Sequence, residues 1–333
     1  MREAQLYTPL EGQKVRCRLC AHRCEIPQGQ YGFCRVRQNI GGVLYTRNYG
    51  NLVAAHADPV EKKPLYHFLP GSLAFSIACA GCNFRCGFCQ NWEISQAGAS
   101  SGENGILSAE KVVEAALRES CRSIAYTYTE PTIFFEFMLE TAKLARAAGL
   151  RNIFVSNGYL TEEAASLLIP YIDAANIDLK FFKEESYRKI CAAKRDPVLD
   201  TIRILKKSGI WVEVTTLVIP GVNDAPEELG EIAGFISSSG KDIPWHVSAF
   251  HPEYRFEEYP STPESSLKVA YDLGRGHGLL YVYPGNAGSW GQDTLCGACG
   301  KSLIKRRGFD LLEFNLSGGK CGFCGAVLPG VFC

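Results

Sequence analysis

Short strand-like segments alternate with helix-like segments over residues 73–283, and this alternation limits the possible folds more than any other feature. Strands separated by helices form βα units, whose strands lie parallel in one sheet. The predicted strands are 73–78, 123–129, 152–156, 174–178, 211–219, 245–250 and 279–283. Helices are fewer than an eight-unit barrel requires. The sequence therefore predicts an α/β fold that is an incomplete (β/α) barrel, with an open doubly wound sheet as the alternative.

Four residues mark predicted helix starts within this region. Ser108 precedes a helix-like segment and can cap it through the side-chain oxygen, and Thr161 begins another segment that has Glu162 and Glu163 in its first turn. Pro131 and Pro226 stand where a first helical residue is expected, and proline is tolerated there because that position needs no backbone N–H.

The charge balance and hydropathy argue against several functional classes. Lys and Arg together number 35, as do Asp and Glu, so no net field favours nucleic acid, an anionic membrane or an acidic partner. No apolar stretch approaches the ~20 residues that span a bilayer. Residues 1–13 lack the apolar centre of a signal peptide. We therefore expect a cytoplasmic protein without a membrane partner.

The chain contains 15 cysteines, which a reducing compartment would not keep as disulfides. Most fall into three groups with short internal spacings: Cys17, Cys20, Cys24 and Cys34; Cys79, Cys82, Cys86 and Cys89; Cys296, Cys299, Cys321 and Cys324. Grouped thiols in the cytosol indicate metal binding. The remaining Cys121, Cys191 and Cys333 are expected to be small packed side chains or part of an inert tail.

The central group follows the first strand of the predicted barrel. The spacing Cys82-x3-Cys86-x2-Cys89 can bind three irons of one [4Fe–4S] cluster and leave the fourth iron open. Ligands of parallel β/α folds gather at the C-terminal ends of strands, which is where this loop falls. Two alternatives remain: a structural zinc site that includes Cys79, and a closed ferredoxin-like cluster.

The flanking groups divide the chain into three expected parts: a Cys-rich segment 1–70, a core 71–290 and a C-terminal module 291–333. The pairs Cys296-x2-Cys299 and Cys321-x2-Cys324 match a zinc ribbon, for which zinc is the expected metal and rubredoxin-type iron the alternative. The set Cys17, Cys20, Cys24 and Cys34 fits zinc or a second [4Fe–4S] cluster, and its spacing does not choose between them. Between the ribbon pairs, a positive patch is predicted from Lys301, Lys305, Arg306 and Arg307.

The central motif, with Phe88 before its third cysteine, resembles the signature of the radical S-adenosylmethionine (SAM) superfamily. The resemblance implies that Cys82, Cys86 and Cys89 hold a catalytic [4Fe–4S] cluster whose open iron binds SAM. One electron would cleave SAM, and the resulting 5′-deoxyadenosyl radical would abstract hydrogen from a substrate. The cofactors would supply the chemistry, and the protein would supply ligation and orientation.

Polar residues at later strand ends resemble SAM-contacting motifs of the enzymes that activate glycyl radical enzymes. The implied cofactor-binding residues are Phe88, Thr129, Glu130, Asn157, Asp178, Lys180 and His251. Asp178 and Lys180 lie two residues apart on a predicted strand, so their opposite charges face the same way. A solvated salt bridge is the alternative for this pair. Tyr128-Thr129 stands where those enzymes have Gly-Gly, which departs from their pattern.

Nearly the whole chain resembles the radical SAM member of the AmmeMemoRadiSam system, a relative of pyruvate formate-lyase activating enzymes. The motifs behind this resemblance are the N-terminal cysteines (17–34), the stretch 82–91 with Cys89-Gln-Asn91, the segment 128–132 and the C-terminal ribbon. It implies AMMECR1-like and Memo-like partner proteins and a low-potential donor such as flavodoxin or ferredoxin. Three functions follow as hypotheses: a radical SAM enzyme acting on a macromolecule or partner protein, a glycyl-radical-enzyme activator, and a zinc-rich scaffold.

Overall fold

The computed structural model describes residues 1–98, 106–288 and 290–332. Its main sheet has eight strands, which lie side by side in chain order from one edge to the other. Their bounds are β7 Leu52–Pro59, β8 Leu73–Cys79, β9 Ser123–Tyr126, β10 Arg151–Ser156, β11 Ala174–Asp178, β12 Trp211–Val218, β13 Trp245–Ala249 and β14 Val282–Gly285. Strands β8 to β14 are mutually parallel, and β7 joins the edge antiparallel to β8.

Helices connect the parallel strands and cover the sheet. The α-helices are α1 Trp92–Ser95, α2 Ala109–Arg118, α3 Phe135–Ala147, α4 Glu162–Leu168, α5 Glu184–Ser186, α6 Asp196–Lys207, α7 Pro226–Ser239 and α8 Glu264–Gly276. The parallel strands follow chain order without reversal. Because parallel crossovers are right-handed, such an order puts every connecting helix on one face. The predicted incomplete barrel is confirmed, and the doubly wound alternative is wrong because that topology requires a reversal of strand order.

Ser108 and Thr161 start their helices as expected, and each caps its helix through its side chain. Ser108 Oγ accepts the Lys111 N–H at 3.4 Å, and Thr161 Oγ1 accepts the Ala164 N–H at 3.2 Å. Pro131 differs, since it begins a 3-10 turn, Pro131–Phe134, that precedes α3. The last strand also differs from the prediction 279–283, because it starts at Val282 after a glycine turn.

The N-terminal region consists of short strands in two small sheets. These strands are β1 Arg2–Glu3, β2 Tyr7–Pro9, β3 Val15–Cys17, β4 Glu25–Ile26, β5 Arg37–Ile40 and β6 Val43–Thr46. One sheet has the order β1-β6-β5 and the other β2-β3-β4. Strand β7 lies within the expected segment 1–70, yet it pairs with β8 along its full length. The sheet therefore continues from this segment into the core.

The C-terminal region is a set of antiparallel strands fixed against the barrel. These strands are β15 Thr294–Leu295, β16 Ser302–Arg307, β17 Asp310–Phe314, β18 Leu316–Ser317 and β19 Lys320–Cys321. Near the chain end, the Leu69 N–H donates to the Val331 carbonyl at 2.7 Å, and a His67 ring nitrogen lies 2.8 Å from the Pro329 carbonyl. These bonds tie the region to the segment before β8. Among the described residues, no helix is long and apolar enough to cross a bilayer.

Candidate active site

The loop that carries the central cysteines leaves β8 at Cys79 and passes close to the N-terminal region. Gly81 has φ 106°, a conformation that favours glycine. A Cβ on Gly81 would lie 2.8 Å from Val36 Cγ1 and 3.2 Å from the Cys34 carbonyl oxygen. This close approach explains the glycine directly before Cys82, because any side chain would push the loop away.

The three motif cysteines open into one large cavity and have polar groups beside their sulfurs. Cys82 Sγ accepts the Phe84 N–H at 3.3 Å, and Cys89 Sγ lies 3.2 Å from Ser95 Oγ. Burial raises the pKa of the Cys82 and Cys89 thiols, so metal ligation must displace their protons. The polar neighbours favour the thiolates that such ligation requires.

Two further cysteines lie near this loop. Cys79 is fully buried at the end of β8 and does not line the cavity. Cys191 was expected only to be a small packed side chain, and it is buried; its Sγ also lies 3.5 Å from Cys86 Sγ. That contact depends on the tertiary fold, and the sequence gives no signal for it.

The cavity has a volume of about 580 Å³, within the usual range for small-molecule sites. Most of the residues implied to contact SAM line it together with the three cysteines: Phe88, Thr129, Glu130, Asn157, Asp178 and Lys180. His251 is not among the lining residues. It is exposed, and its Nε2 lies 3.2 Å from the Asn286 carbonyl. The structure thus brings six of the seven residues together with the cysteine loop.

Asp178 and Lys180 form an ion pair in the cavity wall at the end of β11. Lys180 Nζ lies 2.9 Å from Asp178 Oδ2 and 5.6 Å from the Phe88 ring centre. The side chains are 15% (Lys180) and 36% (Asp178) exposed, so the pair is shielded more than a surface salt bridge. Burial acts to lower the pKa of Lys180, but Asp178 and the nearby Cys86 raise it well above its usual value. The amine is held as a cation facing the cavity.

The Glu130 carboxylate is hydrogen-bonded to other protein groups, so it positions neighbouring residues rather than contacting a ligand itself. It accepts the Thr132 N–H at 2.9 Å, the Ser156 hydroxyl at 2.8 Å and the Asn157 N–H at 2.9 Å. Burial nonetheless raises the pKa of Glu130. These bonds join the ends of β9 and β10 and fix Asn157, whose side chain donates to Asn83 Oδ1 at 2.7 Å. Glu130 is therefore a positioning residue for the cysteine loop.

Tyr128, the residue that departs from the pattern expected by resemblance, has a backbone conformation that glycine favours. Its φ is 63°, in the left-handed region that glycine enters without strain. The Tyr128 hydroxyl donates to Asp58, and Lys63 Nζ lies 4.5 Å from the centre of its ring. The side chain is thus fixed by a buried ion pair, which maintains the turn without glycine.

A buried histidine in the cavity wall, and the buried glutamate that it contacts, were not predicted. His246 on β13 lines the cavity, and its Nε2 lies 2.6 Å from Glu213 Oε2 on β12. Glu213 also accepts the Tyr66 and His67 backbone N–H groups at 3.0 and 2.8 Å. The one available signal was an acidic residue inside the apolar segment 211–219.

The C-terminal region contributes part of the cavity wall through Gln292, Gly308 and Phe309. Its predicted positive patch is wrong in part. Arg306 is buried and donates to the Tyr66 carbonyl at 2.7 Å, because alternate residues of β16 face the barrel. Lys305 pairs with Glu313 at 2.6 Å. Only Lys301 and Arg307 remain of the patch.

The ribbon cysteines are spaced as a single ion requires. Cys296 Sγ lies 3.7 Å from Cys324 Sγ, and Cys299 Sγ lies 3.8 Å from Cys321 Sγ. All four sulfurs are within 4.8 Å of one another. Four thiolates at Zn–S bonds of about 2.3 Å in a tetrahedron would be about 3.8 Å apart. The set can therefore hold one tetrahedral metal ion.

The four N-terminal cysteines surround a second, small cavity. Cys17 ends β3, Cys20 and Cys24 lie in the following turn, and Cys34 precedes β5. All four line the same cavity, together with Arg37. Three of them are buried, and Cys24 is partly exposed. The fold thus brings this predicted set together around one point.

Comparison with known proteins agrees with this arrangement. The sequence pattern of the radical SAM superfamily matches residues 76–236, which hold the cysteine loop and most of the barrel. The chain belongs to this superfamily, and it is a radical SAM enzyme. The family implies a [4Fe–4S] cluster and SAM, and the loop thiols with the adjacent cavity fit both.

Individual relatives place the chain near activating enzymes. It is 43% identical to an uncharacterised protein of Methanocaldococcus jannaschii over 98% of each chain. It is 27% identical to the pyruvate formate-lyase-activating enzyme of Listeria monocytogenes, over 51% of this chain and 71% of that protein. A radical SAM methyltransferase structure from Sphaerobacter thermophilus shares the fold with a TM-score of 0.52 and 16% identity, covering 65% of this chain and 67% of that one.

Proposed function

We propose that this enzyme binds a [4Fe–4S] cluster through Cys82, Cys86 and Cys89 and cleaves SAM reductively to abstract hydrogen from a macromolecular or partner-protein substrate. The observation that carries the proposal is the single cavity shared by three loop thiols and the Asp178–Lys180 pair. When bound, the cluster and SAM supply the one-electron cleavage that yields the 5′-deoxyadenosyl radical.

The protein's own residues would bind and orient the cofactor. SAM carries both an ammonium and a carboxylate, and Asp178 and Lys180 offer the opposite charges in a shielded wall. Thr129 donates its hydroxyl to the Cys79 carbonyl at 2.7 Å, which leaves its oxygen lone pairs and nearby backbone available at the cavity edge. Phe88 packs at 5.8 Å from Phe181, so its ring closes an apolar side of the site. His251 would act at most at the rim.

We further propose zinc at Cys296, Cys299, Cys321 and Cys324, since their spacing suits one tetrahedral ion. The same spacing would also admit rubredoxin-type iron, and metal analysis separates the two. The division into 1–70, 71–290 and 291–333 is kept as a proposal about folding units. The paired β7 and β8 and the buried Arg306 support tight coupling between them.

For the substrate, we propose a partner protein of the AmmeMemoRadiSam type, AMMECR1-like or Memo-like, with flavodoxin or ferredoxin as electron donor in the cytoplasm. Support comes from the resemblance over the full chain. The second candidate is activation of a glycyl radical enzyme, which the relationship to a pyruvate formate-lyase-activating enzyme favours.

The test is transfer of deuterium from substrate to 5′-deoxyadenosine. Each candidate partner, uniformly deuterated, is incubated anaerobically with enzyme, SAM and reductant, with Cys86→Ala as the inactive control. Deuterium in 5′-deoxyadenosine identifies the partner whose hydrogen is abstracted. A stable glycyl radical signal on an added glycyl radical enzyme would select the second candidate. Deuterium transfer from none of the proteins would reject a protein substrate among them.

A further inference from the structure

The N-terminal cysteines surround a small gap and are less compactly arranged than the ribbon thiols. This gap can hold about one water molecule. In a four-thiolate zinc site, the Zn–S distance of about 2.3 Å leaves no space for a water-sized sphere between the sulfurs. The ribbon thiols show the compact spacing, at 3.7 and 3.8 Å.

The N-terminal thiols are also spread more widely than the ribbon thiols. Within residues 1–98, 106–288 and 290–332, only the ribbon forms a set of three or more metal-ligating atoms all within 4.8 Å. A [4Fe–4S] cluster places four irons and four sulfides between its thiolates, so it needs the wider spacing. The loop cysteines Cys82, Cys86 and Cys89 share this wider spacing.

The N-terminal cavity lies directly against the cysteine loop of the active site. A His22 ring nitrogen lies 2.7 Å from the carbonyl of Asn83, the residue after Cys82. Arg85, between Cys82 and Cys86, donates to the carbonyl of Phe33, the residue before Cys34. In the contact between Arg85 and Phe33, each residue is adjacent in sequence to a proposed ligand, Cys86 on one side and Cys34 on the other. Electron transfer between two clusters would use such a contact, whereas a purely structural ion would not require it.

A buried cation faces the N-terminal site. The Arg37 guanidinium donates to Cys17 Sγ at 3.4 Å and also pairs with Glu136, which is buried as well. Arg37 Nε has no hydrogen-bond partner. A cluster held by four thiolates is anionic, and hydrogen bonds to its sulfurs tune its potential. Arg37 can therefore offset the negative charge of such a cluster and also donate a hydrogen bond to the Cys17 sulfur.

We propose that Cys17, Cys20, Cys24 and Cys34 hold a second [4Fe–4S] cluster, which passes electrons to the cluster at Cys82, Cys86 and Cys89. This rests on the proposed function. One electron leaves a low-potential protein donor of the flavodoxin or ferredoxin class and reduces the second cluster from the 2+ to the 1+ state. The second cluster returns to 2+ as the catalytic cluster becomes 1+. That electron is consumed when one SAM is cleaved to methionine and the 5′-deoxyadenosyl radical.

The first test counts metal in anaerobically reconstituted protein. The triple variant Cys82→Ala, Cys86→Ala, Cys89→Ala should keep about four irons per chain, and the wild type should hold about eight. The variant's reduced cluster should give an electron paramagnetic resonance signal that added SAM does not change. Two zinc ions per chain with iron lost from the triple variant would overturn the proposal, as would an empty N-terminal site.

The second test separates electron delivery from SAM cleavage. Cys24→Ser replaces the most exposed ligand, and Cys121→Ser, a buried cysteine outside the three groups, is the matched control. With reduced flavodoxin, Cys24→Ser should release 5′-deoxyadenosine at least tenfold more slowly than the control. With titanium(III) citrate, both variants should release it at similar rates, which also shows that Cys24→Ser is folded.

Equal rates of 5′-deoxyadenosine release by Cys24→Ser and Cys121→Ser with reduced flavodoxin would overturn the proposed electron transfer through the second cluster. Loss of 5′-deoxyadenosine release from the wild type with titanium(III) citrate would instead reject the proposed function. The two failures are therefore distinguishable.

Discussion

Removing the guanidinium of Arg306 should destabilise the whole protein, because this side chain joins the C-terminal region to the barrel. It donates to the Tyr66 carbonyl at 2.7 Å, to Thr294 Oγ1 at 2.8 Å and to the Gln292 carbonyl at 3.2 Å. Its Nε lies 4.0 Å from Glu61 Oε1, and both side chains are fully buried. Glu61 otherwise receives the Gly71 N–H at 2.8 Å.

The expected loss for Arg306→Ala follows from these contacts. Removing one partner of a buried ion pair costs ~3–5 kcal/mol, since the other charge stays buried without compensation. That is a large part of the ~5–15 kcal/mol by which most domains are stable. Arg307→Ala is the matched control, because the neighbouring Arg307 is exposed and should change stability by ~0.5 kcal/mol or less.

The assay is urea unfolding of the metal-loaded protein, with the double variant Arg306→Ala, Glu61→Gln added. Glu61→Gln removes the stranded charge, so the double variant should be ~1–3 kcal/mol more stable than the sum of the single effects. If Arg306→Ala were no less stable than Arg307→Ala, the conclusion that the buried Arg306 side chain joins the C-terminal region to the barrel would be refuted. The predicted exposed patch would then be the better description of this residue.

Three other outcomes are expected. Lys180→Ala and Asp178→Ala should each weaken SAM binding by about 10- to 100-fold in equilibrium dialysis, because each removes a charged contact worth ~1.5–3 kcal/mol. Lys268→Ala, which changes an exposed lysine, should leave SAM affinity unchanged. Unchanged affinity in the first two variants would mean that Asp178 and Lys180 form only an ordinary salt bridge. Burial lowers the pKa of His67 to about 4, so the unfolded chain takes up the proton first and stability should fall as the pH drops from about 6.5 to 4. His67→Gln should show a weaker fall in stability over this pH range. An equal fall in the wild type and in His67→Gln would contradict the assignment of this pH dependence to His67. Cys299→Ser should lose about one zinc per chain but keep the iron, and full zinc retention would place the metal elsewhere.

The barrel could be predicted because its signals are local. Alternating strand and helix segments give the parallel sheet, and Ser108 and Thr161 start their helices through their own side chains. Pro131 was harder, since a proline fits the first residue of a 3-10 turn as well as that of an α-helix. The small N-terminal sheets were missed because strands of two to four residues carry little periodic signal.

The site could be predicted only where a motif follows a strand end. Asp178 ends β11, Lys180 follows two residues later, and both line the same cavity as the cysteine loop. Arg306 was misassigned because its burial depends on packing between distant parts of the chain, and a run of basic residues normally indicates a solvated surface. His246 and Glu213 were missed for the same reason, because their contact and the position of His246 in the cavity wall arise only in the assembled barrel.

We propose that Cys82, Cys86 and Cys89 form the site at which SAM is reductively cleaved. The most direct measurement is release of 5′-deoxyadenosine and methionine from SAM by the anaerobically reconstituted, chemically reduced enzyme. Wild type and Cys79→Ala should release both products in equal amounts, because Cys79 lies outside the cavity, whereas Cys82→Ala should release neither. Release by Cys82→Ala at the wild-type rate, or its abolition in Cys79→Ala with the fold intact, would contradict the three-cysteine site.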